Sequence, residues 1–358
     1  MNIKRYKAYI IFIAFSLISL IFYSYNQGAK KDKKMTRNPS YTENTIKQDK
    51  KDLLAGISKA VCYSGFRKGQ HPNRGEGSVN PSDDEILEDL KIISNEMQFK
   101  LIRLYDSGKN SQTVLRLIKE NNIDIKVMLG IWLNAEISAH ETCKWLTEPI
   151  PLKELDENKE INQKEIQRAI NLVNQYPEIV VAVNVGNESL VEWNDHKVDV
   201  DSIISYSKKV QNAIQQPVTV ADNYEWWATH GKKLAAVLDF ISVHIYPVWE
   251  GKDIDEGLSY SIHNLQKVRD SLPNAKIVIS EAGWATIASE FGARASRKNQ
   301  KRYYNEIMEW SKEMNITNFF FEAFDEDWKG NPDNPMGAEK HWGLYTVDRK
   351  PKLVMKKN

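Results

Sequence analysis

From residue 52 onward the chain alternates short, almost wholly apolar runs with amphipathic stretches, and it does so eight times. The runs lie at residues 56–61, 100–105, 125–129, 179–185, 218–221, 240–245, 276–280 and 318–321. Their length and apolar continuity read as strands covered on both faces, the signature of a parallel sheet. Between them the spacing predicts helices over 82–98, 111–120, 163–175, 201–214 and 297–314, the first opened by Ser82 as a cap. Eight strand–helix units in about 300 residues fit an α/β architecture of the (β/α)₈ TIM-barrel type. Catalytic groups then belong at the C-terminal ends of the strands. A doubly wound open sheet is the alternative, but no glycine-rich phosphate loop follows the first run. No internal repeat is present. One long connection, residues 132–162, follows the third strand and is expected to cap the active face.

The chain ahead of residue 52 has a different character. Residues 8–25 (AYIIFIAFSLISLIFYSY) are almost entirely apolar and follow Lys4, Arg5 and Lys7. Eighteen such residues reach about 27 Å as a helix, the thickness of a hydrocarbon core. The sequence after them, Tyr23-Ser24-Tyr25-Asn26-Gln27, is a poor cleavage site. An uncleaved signal anchor over residues 1–29 therefore fits better than a removed signal peptide. Residues 30–51 are polar and Lys-rich and read as a basic tether, leaving 52–358 as the barrel domain. The first 51 residues hold 11 basic and 3 acidic side chains, so the remaining 307 carry 38 and 45, a net charge of −7. An acidic domain lacks the basic footprint that nucleic acid requires. The expected location is the cell membrane, single-pass, with the domain extracytoplasmic, or secreted if the segment is cleaved.

The chemistry gathers where two of the apolar runs end. The fourth closes on Val183-Asn184-Val185-Gly186-Asn187-Glu188, the seventh on Val278-Ile279-Ser280-Glu281-Ala282-Gly283-Trp284. Facing carboxylates are what glycoside hydrolysis needs: one protonates the leaving oxygen, the other attacks the anomeric carbon. A single glutamate past a strand is commonly a solvated loop residue. Two, on strands four and seven, argue for a site. Eight of the ten tryptophans (132, 193, 226, 227, 249, 284, 328 and 342) fall after strands or in the loop beyond strand eight. Aromatic faces on one rim suit sugar rings, although part of this set must pack the loops.

Seven segments in order carry a resemblance: GISKAVCYSGFRKG (56–69), LIRLYD (101–106), VAVNVGNE (181–188), HIYPVWEG (244–251), ISEAGWAT (279–286), FEAFDEDWK (321–329) and HWGL (341–344). Together they resemble the bacterial branch of glycoside hydrolase family 17, retaining β-1,3-glucanases of a (β/α)₈ clan, over nearly all of residues 55–352. The resemblance implies Glu188 as general acid/base and Glu281 as nucleophile. It places Asn187 at the sugar 2-hydroxyl and makes Tyr63 and Tyr246 candidates for the nucleophile's phenolic neighbour and the floor of the sugar site. Arg103 is positioned to keep the nucleophile ionised, and Glu322 and Lys329 to support the cleft. Asn223, Glu225, Trp226 and Trp227 would border the sugar subsites, with Trp249 and Trp284 on the aromatic rim and His244 beside Tyr246. Each has a purely structural alternative, as rim filler or ion-pair partner. The segment after strand five and the long third loop depart from the plant enzymes, so a long open groove is not carried over.

Other chemistries find no support. The seven histidines form no HExxH or other close ligand pair, so neither metal nor cofactor is expected. No GxSxG elbow is present. Cys62 and Cys143 both fall on the expected active face, as a disulfide or as two buried thiols. The expected activity is double-displacement cleavage of β-1,3-glucan. A β-1,3-glucanosyltransferase using the same site and a non-catalytic surface glucan-binding protein are the alternatives. The partners are a β-glucan and, through the N-terminal segment, a membrane.

Overall fold

All eight apolar runs become strands of one closed parallel barrel, paired in chain order with β1 closing on β8. The computed structural model describes residues 46–73 and 77–356; the expected anchor and most of the expected tether lie outside them. The strands are β1 (Lys59–Cys62), β2 (Leu101–Arg103), β3 (Lys126–Ile131), β4 (Val180–Asn187), β5 (Val218–Asn223), β6 (Ile241–Ile245), β7 (Ile277–Gly283) and β8 (Asn318–Phe321). The helices are α1 (Asp83–Lys91), α2 (Lys109–Glu120), α3 (Leu152–Gln175), α4 (Val200–Gln211), α5 (Tyr224–His230), α6 (Lys232–Ala235), α7 (Ile254–Ser271) and α8 (Arg297–Glu313). A (β/α)₈ TIM barrel results, as the alternation predicts.

Caps and burial explain why the helices start where they do. Ser82 opens α1 with a reciprocal capping box to Glu85, a device that contributes about 1 kcal/mol. Asp199, Asn223 and Ser296 cap α4, α5 and α8 with their side chains. Strand residues such as Val127, Leu129, Val183, Val220, Val243 and Ile279 are fully buried between barrel interior and helix layer. Each contributes about 1.5–3 kcal/mol of hydrophobic stabilisation.

Two expectations change. The third connection is irregular only over 132–151, because α3 begins at Leu152 rather than at residue 163. Pro151 opens that helix, and its first ten residues bury only Leu155, so they carry no apolar periodicity to read. The stretch read as tether also ends sooner than residue 51. Ile46 is buried, and Gln48 closes the base of the barrel. Its side chain donates to the Ile277 carbonyl at 2.9 Å and accepts from the Ile277 N–H at 2.6 Å, while the Asn315 amide donates to the Gln48 carbonyl at 2.8 Å. Among the described residues no helix is long and apolar enough to cross a membrane.

Candidate active site

Strand alternation and two breaks in register build the site at the C-terminal mouth of the barrel. Arg103 and Tyr105 leave β2 two residues apart and so point the same way, as do His244 and Tyr246 on β6. The β6–β7 register shifts at Val243/His244, which sets His244 opposite Glu281. The β4–β5 register shifts between Asn184 and Asn187, just before Glu188. Bulges of this kind re-aim side chains at barrel rims.

Glu281 is almost fully buried and held by four groups. Arg103 Nη1 donates to Oε1 at 2.7 Å, the Tyr105 hydroxyl to Oε1 at 2.9 Å, and the Tyr246 hydroxyl to Oε2 at 2.5 Å. His244 Nδ1 stands 3.6 Å from Oε2. Burial alone would raise this carboxyl, but His244, Arg103 and the two phenols outweigh it and hold Glu281 below the usual carboxylate range. Burial pushes both phenols well above theirs, so they remain donors.

Glu188 sits on a backbone bent for the purpose. Its φ is 50°, after Gly186 at φ 78°, a left-handed conformation that costs a glutamate about 1 kcal/mol or more. Three contacts hold it there. The Glu188 N–H donates to the Ala221 carbonyl at 2.9 Å, the Asn194 amide donates to the Glu188 carbonyl at 2.9 Å, and the Leu190 N–H donates to Asp222 at 3.0 Å. Asp222, fully buried, also accepts the Asn223 N–H at 2.8 Å. Burial, reinforced by the charge of Glu188, pushes its carboxyl well up. The Glu188 side chain accepts from His244 Nδ1 at 2.8 Å and remains partly exposed to the cleft. One carboxylate oxygen of each glutamate and a ring nitrogen of His244 lie within 4.8 Å of one another. Among the described residues these three groups are the ones that could ligate a divalent cation, but Arg103 already supplies positive charge there.

The remaining candidates divide. Arg103 is fully buried beneath the pair, where it also donates to Asn187 Oδ1 at 2.6 Å. Glu322 and Lys329 meet at 2.5 Å, and Lys329 reaches Glu326 at 2.8 Å. That ammonium lies 4.6 Å from the Phe321 ring centroid. Trp249 is half-exposed and stands edge-on to Phe291 with centroids 4.5 Å apart. Trp226 stacks edge-on against the buried Trp227.

Five candidates do not touch the cleft in the way expected. Tyr63 is buried, with its hydroxyl on Asp89 at 3.2 Å, and Asp89 is gripped by Arg67 and Arg349. Alternation explains it: Cys62 turns inward, its thiol donating to the Ser280 carbonyl at 3.3 Å, so Tyr63 turns outward. The nucleophile's second phenol is Tyr105 instead. Trp284 falls on the outward parity of β7, fully buried against Tyr303 with Nε1 donating to the Arg294 carbonyl at 2.8 Å, so no sugar can stack on it. Asn223 spends its carbonyl oxygen capping α5 at Glu225 N, 2.8 Å away. Glu225 is exposed and paired with Lys267 of α7. His244, fully buried with both ring nitrogens on protein groups, binds carboxylates rather than substrate. Cys62 and Cys143 are two buried free thiols, not a disulfide.

Residue-by-residue reading missed Tyr105, Asp222, Glu326 and Glu339. Tyr105 was findable from its spacing to Arg103. Glu326 ties the β1 loop to the cleft, accepting from Ser64 at 2.6 Å and Phe66 N at 2.9 Å. Glu339 lies on the loop after β8, within electrostatic reach of both Glu188 and Glu281. Burial first, and then their charges, push it up to about 7 against the pull of Lys329.

Residues 60–343 match the family model described as the BtgE/BtgC glycoside hydrolase domain. A glucan 1,3-beta-glucosidase of Arthroderma benhamiae is 27% identical over 320 residues, covering 84% of this chain and 94% of that protein. The structure of an endo-laminarinase from Formosa Hel1_33_131 superposes with a TM-score of 0.73 at 26% identity, covering 86% and 87% of the two chains. A family 17 β-1,3-glucanosyltransferase from Rhizomucor miehei shares the fold with a TM-score of 0.63 at 21% identity, over 86% and 98%.

Proposed function

Because the chain belongs to the BtgE/BtgC glycoside hydrolase domain family, we propose that it cleaves β-1,3-glucan with retention of configuration, Glu281 acting as nucleophile and Glu188 as acid/base. The observation that carries this reading is the approach of the two carboxylates, with one oxygen of each within 4.8 Å. Retaining enzymes hold their carboxyl groups about 5–5.5 Å apart, whereas inverting enzymes need roughly 6.5–9.5 Å to admit a water.

The division of labour follows from the surroundings. Glu281, kept ionised by Arg103 and two phenols, supplies the lone pair that attacks the anomeric carbon. Glu188, whose side chain has only the imidazole N–H of His244 as donor among the described residues, delivers its proton to the glycosidic oxygen, and the C–O bonding pair leaves with the alcohol. In the second half Glu188 takes a proton from water as that water displaces Glu281. Asn187 has its amide oxygen occupied by Arg103, which leaves its NH₂ to donate to the sugar 2-hydroxyl. Trp249 at the rim and the Glu322–Lys329 pair supply further contacts for the glucan. A sugar hydroxyl in place of the water would give glucosyl transfer at the same site.

Product analysis on laminarin tests this. The proposal expects shorter β-1,3-oligosaccharides, with any longer products arising by transfer; no turnover of laminarin by the folded protein contradicts it. We further propose that residues 8–25 anchor the enzyme in a membrane with the barrel extracytoplasmic, a reading supported by their almost entirely apolar, uncharged run. Retention in the membrane fraction after carbonate washing is expected; a mature N-terminus just after Asn26 in secreted protein would replace the anchor with a signal peptide.

A further inference from the structure

Among the described residues His244 is the one group within ion-pair distance of both carboxylates, and it has no surface to offer a substrate. Its Nε2 lies 3.1 Å from Arg103 Nη1. A guanidinium can only donate, so Nε2 must accept and the ring proton must sit on Nδ1. That proton points at Glu188 Oε1, 2.8 Å away. The same Arg103 nitrogen donates to Glu281 Oε1 at 2.7 Å. A continuous path therefore runs from Glu188 through His244 and Arg103 to Glu281, with every donor direction fixed by Arg103.

We propose that His244 is a positioning residue that, locked as its Nδ1–H tautomer, assigns the two oxygens of Glu188 different tasks and stabilises the carboxylate formed as Glu188 gives up its proton. This deepens, and rests on, the assignment of Glu188 and Glu281 made above. With Oε1 occupied by the imidazole N–H, the acidic proton resides on Oε2. It passes from Oε2 to the glycosidic oxygen while the C–O bonding pair leaves with the alcohol and Glu281 forms the new bond to carbon. Negative charge grows on Glu188 during that transfer, so the Nδ1–H bond strengthens in the transition state, where it accelerates the step. In hydrolysis of the glycosyl-enzyme, Oε2 receives the proton of the attacking water and Oε1 again keeps its donor.

The groups facing this unit are Arg103 and Tyr105 from β2 and its end, Asn187 and Glu188 from β4, and Asp222 from β5. Cys62 from β1, Tyr246 after β6, Glu281 from β7 and Glu339 after β8 belong with them. None besides His244 donates to the Glu188 side chain among the described residues. Removing the imidazole thus deprives ionised Glu188 of its donor and moves the alkaline limb of kcat/KM, which reports the free enzyme's acid, to higher pH.

The test compares His244→Ala and His244→Asn with wild type, on laminarin and on a dinitrophenyl β-glucoside whose leaving group needs no proton. The Asn amide can still donate to Glu188 and accept from Arg103. For His244→Ala we expect kcat/KM on laminarin to fall about 100-fold, with the alkaline limb displaced upward by about one pH unit and the first step on the aryl glucoside slowed less than about tenfold. His244→Asn should recover most of the loss. A folded His244→Ala enzyme with the wild-type pH profile, or with equal losses on both substrates, overturns the inference while leaving the catalytic pair intact. Inactivity of wild type on laminarin and on the aryl glucoside overturns the pair itself, and the inference with it.

Discussion

At the scale of single residues, the site is a contest between burial and hydrogen bonding that each carboxyl settles differently. Glu281 is held below the usual carboxylate range because His244, Arg103 and two phenols outweigh burial, whereas burial pushes Asp222 and Glu339 up. Tyr105→Phe and Tyr246→Phe each remove one donor to the ionised nucleophile. Each should raise the acidic limb of kcat/KM by up to about one pH unit, measured as a full pH–rate profile. Glu339 has a consequence for stability. Its folded value of about 7 exceeds the ordinary 4.5, so between these values the native state binds more proton than the unfolded one. Stability contributed by this group is present below about 4.5 and is lost as pH rises toward 7. Melting temperature measured across that window should decline with pH, and Glu339→Gln should flatten the slope; an unchanged slope contradicts the assignment. The two catalytic candidates were legible in the sequence because each ends an apolar run. The supporting residues were less so, since parity decides them: one position along the chain exchanges Tyr63 for Cys62 and Trp284 for Gly283. Glu326 and Glu339 come from loops beyond β8, where no periodicity signals which way a side chain faces.

Elements were readable in proportion to their apolar periodicity. All eight strands were evident, with ends within three residues of those observed. The spacing gives no sign of the front of α3, nearly all polar, of the short α5 and α6, or of α7, which Gly257 and several serines interrupt. Gly257 has a packing reason: a Cβ there would lie 3.1 Å from both Trp284 and Tyr303. Residues 46–48 were hidden because a glutamine in a Lys-rich stretch gives no apolar signal. Yet Gln48 satisfies both backbone groups of Ile277 at the start of β7, the strand that delivers Glu281. Gln48→Ala leaves those buried groups unpaired and should destabilise the barrel by about 1–3 kcal/mol, read by chemical denaturation. Loss of activity at 25 °C should be small, because the site lies at the opposite end of the strand. A protein beginning at residue 46 should match the full chain in stability, whereas one beginning at residue 52 should not.

For the whole molecule, the barrel explains why two carboxylates more than ninety residues apart in sequence share one bond: strands four and seven both end at the same mouth. Glu188→Gln and Glu281→Gln should each reduce kcat on β-1,3-glucan by about a thousandfold or more in protein that still folds. Near-normal activity in either purified variant contradicts the site. The central claim is double displacement through Glu281, and stereochemistry tests it most directly. Proton NMR of laminarin cleavage at early times, before mutarotation, should show the β-anomer forming first. An α-anomer appearing first would contradict the retaining mechanism and Glu281 as its nucleophile.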